Sequence, residues 1–445
     1  MKCVIIGGDA AGISAASQIR RMKPDWQVRV YEKGHYISYA ACGMPYYVAD
    51  AVHELDDLVE LTPEEAVSSR GIDLCLGHEV TGIDPGNRSV TVQSGSKVFS
   101  DTWDRLMIAT GASPACMGIP VHEMKSVHTI NSLPQAEALK SYIKNSRPER
   151  MAVIGGGYIG LEMAEAVRSI GIDTILVHRR EDLHRAFEKE MSDIIKKKLR
   201  DEGVILHFGH SLKTITEDES GAIVVTDGGD LRVDGAVLAV GVEPNSGLAI
   251  DAGIKTGRAN AIRVNEFMET NIAGIYAAGD CATAALAGFG MEVHAPLALK
   301  ANKQGRIGGT NMAGVREPFA GVLNTAITKI FDLGVARTGL SFAEAESLGL
   351  EPVKYTVESR DRARYYPGMQ KIHSLVIVSK KDRRVLGAQL AGALSAVKRI
   401  DVYSTAIYNS MTIDRLMDLD LAYAPPFSPV YDPVLLASRI GSRKV

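Results

Sequence analysis

The chain opens on a short apolar run, KCVII (residues 2–6), that stops at two glycines and gives way to AAGISAASQIRRM, where apolar positions recur every three or four residues. A run of that length bounded by glycine predicts a buried strand, and the spacing after it predicts a helix. VRVYEK (28–33) reads as the next strand, completing a β-turn-α-β unit. The same pattern returns in MAVIGGGYIGLEMAEAVRSIG (151–171) and TILVHRR (174–180). Two such units predict two nucleotide-binding domains. Between them lie a polar, strand-like stretch (77–103) and DRLMIATGASP (104–114); AIVVTDG (222–228) and GAVLAVGVEPN (235–245) follow the second. APLALKANKQGRIGGTNMAG (295–314) has helical spacing. From about residue 325 the texture changes. HSLVIVSKKDRRVLGAQLAG (373–392) predicts a hairpin with a charged turn, and RIDVYSTAIYNSMTIDRLMDLDL (399–421) predicts a helix.

The fold class expected is therefore α/β: two Rossmann-like dinucleotide-binding domains followed by an α+β domain. At 445 residues the chain exceeds one core. A net charge of −3 gives no global case for nucleic acid or a membrane surface. No apolar run is long enough to span a bilayer, and the first residues lack the core of a signal peptide, so the expectation is a cytoplasmic protein. The five cysteines (3, 42, 75, 116, 281) are scattered, without a CxxC pair, which speaks against a disulfide scaffold or a structural metal.

In the first unit Gly7 and Gly12 match a dinucleotide fingerprint, with Asp9 in the middle glycine's place. The fingerprint needs glycine for a tight turn, for close approach of backbone to a pyrophosphate and for helix-strand packing. Glu32 ends the second strand, where an acid can bind ribose hydroxyls, and Lys33 follows it. The second unit carries a full GxGxxG in Gly155, Gly157 and Gly160. A pyrophosphate there would sit on a helix N-terminus, where free N–H groups and the helix dipole favour anions. Its second strand ends in His178, Arg179 and Arg180 instead of an acid. Arginine there can pair with a 2′-phosphate, which leans the choice of nicotinamide toward NADPH. The plain alternative is a solvated basic loop.

Beyond these patterns the sequence resembles the two-dinucleotide flavoprotein reductases. IATGASP (108–114), with Ala109, Thr110 and Gly111, is similar to their ATG segment, and TNIAGIYAAGDCA (270–282), with Gly279 and Asp280, to their second flavin motif. AVGVEPN (239–245), with Gly241, resembles the loop beside their nicotinamide site. The resemblance implies FAD and NAD(P)H as cofactors. It also implies an FAD domain at 1–114 and 247–324, an inserted NAD(P)H domain at 115–246 and a dimerisation domain at 325–445. The aspartate of the second motif would hydrogen-bond the ribityl chain.

SYAACGMPYY carries one cysteine, Cys42, where glutathione-reductase-like members carry two. It resembles the single-cysteine branch: coenzyme A disulfide reductases, NADH oxidases and peroxidases, and persulfide reductases. There the cysteine cycles through a mixed disulfide or a sulfenic acid. Pro45, in the first turn of a following helix, would bring N–H groups near the sulfur. The oxidases usually carry a histidine where Ala10 stands. RARYYPG (362–368) and LAYAPPFSPVYDP (421–433) resemble segments of coenzyme A disulfide and persulfide reductases, in which two tyrosines of the partner subunit flank the sulfur; the matching positions are Tyr365 and Tyr423. By the same resemblance Ser14, Gln18, Arg21, Ser38 and Arg70 fall at coenzyme A contacts, with Tyr431 and Arg439 from the partner. The bland reading of the arginines is a helix C-terminus complementing its dipole.

The expectation is a homodimeric flavoprotein with an active site shared between subunits, reducing coenzyme A disulfide or a coenzyme A persulfide or polysulfide through a Cys42 mixed disulfide. An NADH oxidase or peroxidase working through a Cys42 sulfenic acid is one alternative. A reductase for a small redox carrier protein is another. Some relatives in the branch carry an additional sulfurtransferase domain, for which the residues up to Val445 leave no room, so a persulfide is expected to arrive from outside.

Overall fold

A computed structural model describes residues 1–183 and 187–444. Its contacts divide the chain into two compact units: 1–115 with 131–137 and 241–322, and 116–130 with 138–240 and 323–445.

The first unit is built on a five-stranded parallel sheet. Its order is Ile275–Ala277, Arg105–Ile108, β1 (Lys2–Ile6), β2 (Gln27–Glu32) and Asp73–Leu76. Helix α1 (Ala10–Met22) connects β1 to β2 as a crossover must between parallel neighbours. Its buried face, Ala11, Ala15, Ala16 and Ile19, is mostly small, so the helix Ala298–Met312 approaches closely. A Cβ on Gly305 would fall 2.2 Å from the Ala11 carbonyl oxygen. The polar stretch at 77–103 forms the antiparallel strands Glu79–Asp84, Ser89–Ser94 and Lys97–Thr102. Val80, Val90 and Val92 turn into a core shared with Val4, Tyr31, Trp103 and Ile275.

The second unit repeats the parallel design. Strands Ile205–Phe208, Asp173–His178, Arg150–Ile154, Gly235–Leu238 and Val127–His128 lie in that order, with the helix Tyr158–Ser169 as crossover. The same unit holds a five-stranded antiparallel sheet in the order Ala326–Ile330, Leu333–Gly339, Val385–Ala393, Lys371–Ser379 and Pro352–Arg360. Lys371–Ser379 and Val385–Ala393 are the hairpin that the charged turn marks. Residues 399–421 do not make one helix. Ile400–Tyr408 and Ile413–Met417 are separated where Ser410 takes a φ of 51° and Thr412 caps the second by accepting from the Arg415 N–H. Apolar spacing runs through the break, but a threonine N-cap resets the helix. No helix among the described residues is long and apolar enough to cross a membrane.

Candidate active site

Both glycine loops sit at the carboxyl ends of parallel strands, where α/β sheets bind ligands. Gly7 has φ +103°, and a Cβ there would lie 2.2 Å from the Ala109 carbonyl oxygen. A Cβ on Gly12 would lie 1.9 Å from the Gly7 carbonyl oxygen. Any side chain at these places would push α1 off the strand ends. Gly155 and Gly160 repeat the arrangement, against the Ala239 and Gly155 carbonyl oxygens at 2.1 and 1.8 Å.

At the first loop Glu32 spans two backbone donors, Gly8 N–H at 2.8 Å and Gly34 N–H at 2.7 Å. Each oxygen keeps acceptor capacity for a ribose hydroxyl. Asp9, in the middle glycine's place, turns its Oδ1 to the Tyr39 N–H at 3.1 Å. Burial pushes its carboxyl up to about 6, Tyr39 opposes this, and Glu32 and Asp280 add to it by like charge. Asp280 is also pushed up by burial, partly offset by Lys300 and His294. Its Oδ1 is buried with no hydrogen-bond partner. Lys300 spends its ammonium on the Ala282 carbonyl at 3.0 Å, and burial lowers its pKa. His294 Nε2 faces the Asp280 carbonyl at 2.8 Å. Gln304 accepts from the Gly279 N–H at 3.0 Å and donates to the Thr283 carbonyl at 2.8 Å, fixing the motif's backbone. Lys300 and Gln304 escape the motif reading, although their spacing of four in ALKANKQ puts both on one helix face.

Cys42 is exposed and free, in a single turn Ala41–Gly43 before the short helix Met44–Val48, with Pro45 in its first turn. The segment is tied to the first loop by the Asp9–Tyr39 bond and by Ser38 N–H donating to the Gly8 carbonyl at 3.2 Å. The other four cysteines are buried or half-buried, and none is in a disulfide. Cys281 points its Sγ at the carbonyls of Ala278 and Ile108, at 3.3 and 3.5 Å, as a packed core thiol does.

The outer face of α1 brings several expected residues into one row. Arg21 donates to Gln18 Oε1 at 2.7 Å, Gln18 to Thr310 Oγ1 at 3.0 Å and Ser14 to Asn302 Oδ1 at 2.8 Å. Arg70 reaches the same helix through Ser17 Oγ at 2.9 Å. Both Arg21 and Arg70 are exposed, and among the described residues neither has a carboxylate partner. Arg20 differs, turning inward to the carbonyls of Pro24 and Trp26. Ser38 has a φ of 44°, close to the loop.

At the second loop His178 Nδ1 accepts from the Gly156 N–H at 3.2 Å. This is the bond that Glu32 makes to Gly8 in the first. Burial, opposed by a backbone hydrogen bond at Asp182 and reinforced by Arg179 and Arg180, lowers the His178 pKa and favours the neutral imidazole. A neutral ring thus stands where the first loop has a carboxylate. Arg179 is exposed beside it. Thr110 Oγ1 donates to the Asn245 carbonyl at 2.6 Å and Asn245 N–H to the Gly111 carbonyl at 3.0 Å, joining the ATG segment to the loop after Gly241.

In the second unit Tyr365 and Tyr423 come together. The Tyr365 phenol lies beside that of Tyr423 and raises its pKa. Both rings are exposed, Tyr365 at 76% and Tyr423 at 48%. The Arg439 guanidinium lies 5.4 Å from the centre of the Tyr431 ring. Among the described residues no group of three or more His, Cys, Asp or Glu could hold a metal.

Residues 1–305 match the family model described as pyridine nucleotide-disulphide oxidoreductase, and residues 325–433 that of its dimerisation domain. The chain is 39% identical over 440 residues to the NAD(P)H coenzyme A polysulfide/persulfide reductase of Pyrococcus horikoshii, covering 99% of this chain and 98% of the other. It is 34% identical over 447 residues to the NADH oxidase of Methanocaldococcus jannaschii, covering 100% and 99%. Among solved structures it is similar to an NAD-dependent persulfide reductase from A. fulgidus, with a TM-score of 0.96, 39% identity, and coverage of 100% of this chain and 83% of that one.

Proposed function

The chain belongs to the pyridine nucleotide-disulphide oxidoreductase family, and on that footing we propose that it reduces coenzyme A disulfide or a coenzyme A persulfide or polysulfide with NAD(P)H, through Cys42. Family membership makes FAD and a pyridine nucleotide its cofactors. The first loop fits FAD: the backbone cradle at Gly7 and Gly12 excludes side chains, Glu32 ends β2, and the buried Asp280 Oδ1 lacks a partner. When bound, the flavin accepts hydride from the nicotinamide and supplies two electrons to a sulfur centre.

Cys42 is the nucleophile in this reading. Its thiolate attacks a coenzyme A disulfide, forming Cys42–S–S–CoA and releasing one coenzyme A thiolate. Two electrons and two protons then return Cys42 to the thiol and free the second coenzyme A. With a persulfide the products are coenzyme A and hydrogen sulfide. Arg21 and Arg70 hold the phosphates, with Ser14, Gln18 and Ser38 as polar contacts, and so aim the substrate sulfur. Tyr365 and Tyr423, from the partner subunit of a homodimer, donate hydrogen bonds to the leaving thiolate. Tyr431 and Arg439 extend the substrate site from the same side. The nicotinamide dinucleotide lies at Gly155, Gly157 and Gly160. NADPH is favoured, because the neutral His178 does not repel a 2′-phosphate and Arg179 and Arg180 attract it.

The observation that carries the proposal is a single exposed cysteine on a segment tied to the first loop, with no second cysteine bonded to it. On this reading the resolving sulfur comes with the substrate. Cys42→Ser tests this: it should abolish disulfide and persulfide turnover while NAD(P)H still reduces ferricyanide. Full turnover by the variant would end the proposal. The similarity to an NADH oxidase supports a second reading, in which Cys42 cycles through a sulfenic acid. Stoichiometric oxygen consumption with NADH, at rates matching disulfide turnover, would favour it.

A further inference from the structure

We propose that Arg399 is the residue that holds the Tyr365 and Tyr423 phenols together. The catalytic consequence rests on the role given to those tyrosines above; the geometry does not. Neither phenol stands on a helix or strand. Tyr365 lies in the loop between the strands Pro352–Arg360 and Lys371–Ser379, and Tyr423 in the longer loop between the helices Ile413–Met417 and Pro433–Gly441. Both rings are exposed, so burial of apolar surface does not fix them. One backbone bond crosses between the loops, from Ala363 N–H to the Pro425 carbonyl at 3.1 Å.

Arg399 supplies the rest. Its Nη2 donates to the Phe427 carbonyl at 2.7 Å and to the Asp361 carbonyl at 3.3 Å, one on each loop. Its Nε donates to Asp432 Oδ2 at 2.7 Å. The two acids are themselves staples. Asp361 closes its loop by accepting from Gln370 N–H and Arg362 Nε, at 2.8 and 2.9 Å. Asp432 accepts from Ser428 Oγ at 3.0 Å and caps the helix that carries Arg439 through the Val434 N–H at 2.9 Å. One guanidinium therefore sets the spacing of both phenol loops and of the Tyr431–Arg439 pair.

Arg399 can do this because it is itself fixed. It immediately precedes the helix Ile400–Tyr408, whose Ile400 and Tyr403 are buried. The Arg399 and Asp432 side chains are only 15% and 9% exposed, so the pair is little screened by solvent. Among the described residues no other cation pairs with Asp432. Lysine would keep the charge but not the fork, since a single ammonium does not reproduce the divergent donors of a guanidinium.

The test uses the full-length holoenzyme carrying Arg399→Gln or Arg399→Lys, each with and without Tyr423→Phe. Ultraviolet difference titration between each pair reads the Tyr423 phenol, together with its neighbour Tyr365, against the other tyrosines. On the Arg399 background the Tyr423 ionisation should lie above that of an ordinary phenol, because the Tyr365 phenol lies beside it. On either variant background it should fall to the ordinary value. Turnover should follow: Tyr423→Phe should cost about a hundredfold with Arg399 present, the low end of acid–base contributions, and less than about twofold without it. KM for NAD(P)H should not move. If Arg399→Gln does not fold, Arg399→Lys, which keeps the charge beside Asp432, decides. A raised Tyr423 ionisation that persists in a folded variant overturns the proposal. If Tyr423→Phe leaves wild-type turnover unchanged, the catalytic role of the tyrosines fails, while the titration still decides what Arg399 holds.

Discussion

Replacing Asp280 by asparagine should stabilise the flavin-free protein and weaken its hold on FAD, two effects of opposite sign from one atom. The carboxylate is buried, its Oδ1 has no hydrogen-bond partner, and Lys300 is bonded elsewhere. A buried polar group left unsatisfied costs about 1–3 kcal/mol, more when charged. Asparagine keeps the shape and removes the charge, so the flavin-free protein should gain on the order of 1 kcal/mol. With FAD bound, a charge-assisted hydrogen bond to a ribityl hydroxyl, about 1.5–3 kcal/mol, becomes a neutral one of about 0.5–1.5 kcal/mol. The difference, about 1–1.5 kcal/mol, is roughly a tenfold rise in the FAD dissociation constant. Urea melts of stripped protein give the first number, and titration of FAD fluorescence gives the second. Acid supplies an internal control. The carboxyl is pushed up on folding, so its penalty is absent at low pH and grows as pH rises through the folded value. The advantage of the variant should therefore vanish in acid. A flavin-free variant less stable than wild type, with unchanged FAD affinity, would refute the placement of Asp280 against the ribityl chain.

Asp9 gives a second pH signature: its carboxyl rises from 3.8 to about 6 on folding. Its contribution is fully present below 3.8 and lost as pH passes from there to about 6, so flavin-free wild type should lose up to about 3 kcal/mol relative to Asp9→Asn across that window, read by urea melts at stepped pH. His178→Glu should place a carboxylate at the end of its strand and move preference toward NADH, with NADPH affinity falling about tenfold or more in calorimetry without turnover, since the carboxylate repels a 2′-phosphate and competes for Arg179 and Arg180. Arg21→Ala with Arg70→Ala should raise KM for coenzyme A disulfide about tenfold or more and leave KM for NAD(P)H unchanged, with a steeper loss at low salt.

The parallel halves of the fold were legible because glycine spacing is forced by backbone contact. Gly7, Gly12, Gly155 and Gly160 each leave no room for a Cβ, so the motif reads directly as geometry. The hairpin at 373–392 was legible for a similar reason, a charged turn between two apolar runs. The break at Ser410 was not, because one residue at φ 51° leaves no mark on apolar periodicity. In the candidate site Ser14, Gln18 and Arg21 were named by family resemblance, and all three fall on α1. The turning of Arg20 away from them could not be read from the chain, since it depends on the carbonyls of Pro24 and Trp26. His178 stood out as a missing acid, yet its bond to the Gly156 N–H emerges only when strand end and loop are placed together. Arg399 left no signal, because its partners lie on two loops far apart in sequence.

In the proposed mechanism the partner sulfur of Cys42 belongs to coenzyme A. Intact-mass analysis of the purified protein before and after reductant, with peptide mapping of residues 37–50, tests it most directly. The prediction is a coenzyme A adduct on Cys42 that reductant releases. A Cys42 that is unmodified, or that carries added oxygen, in the oxidised protein would contradict it.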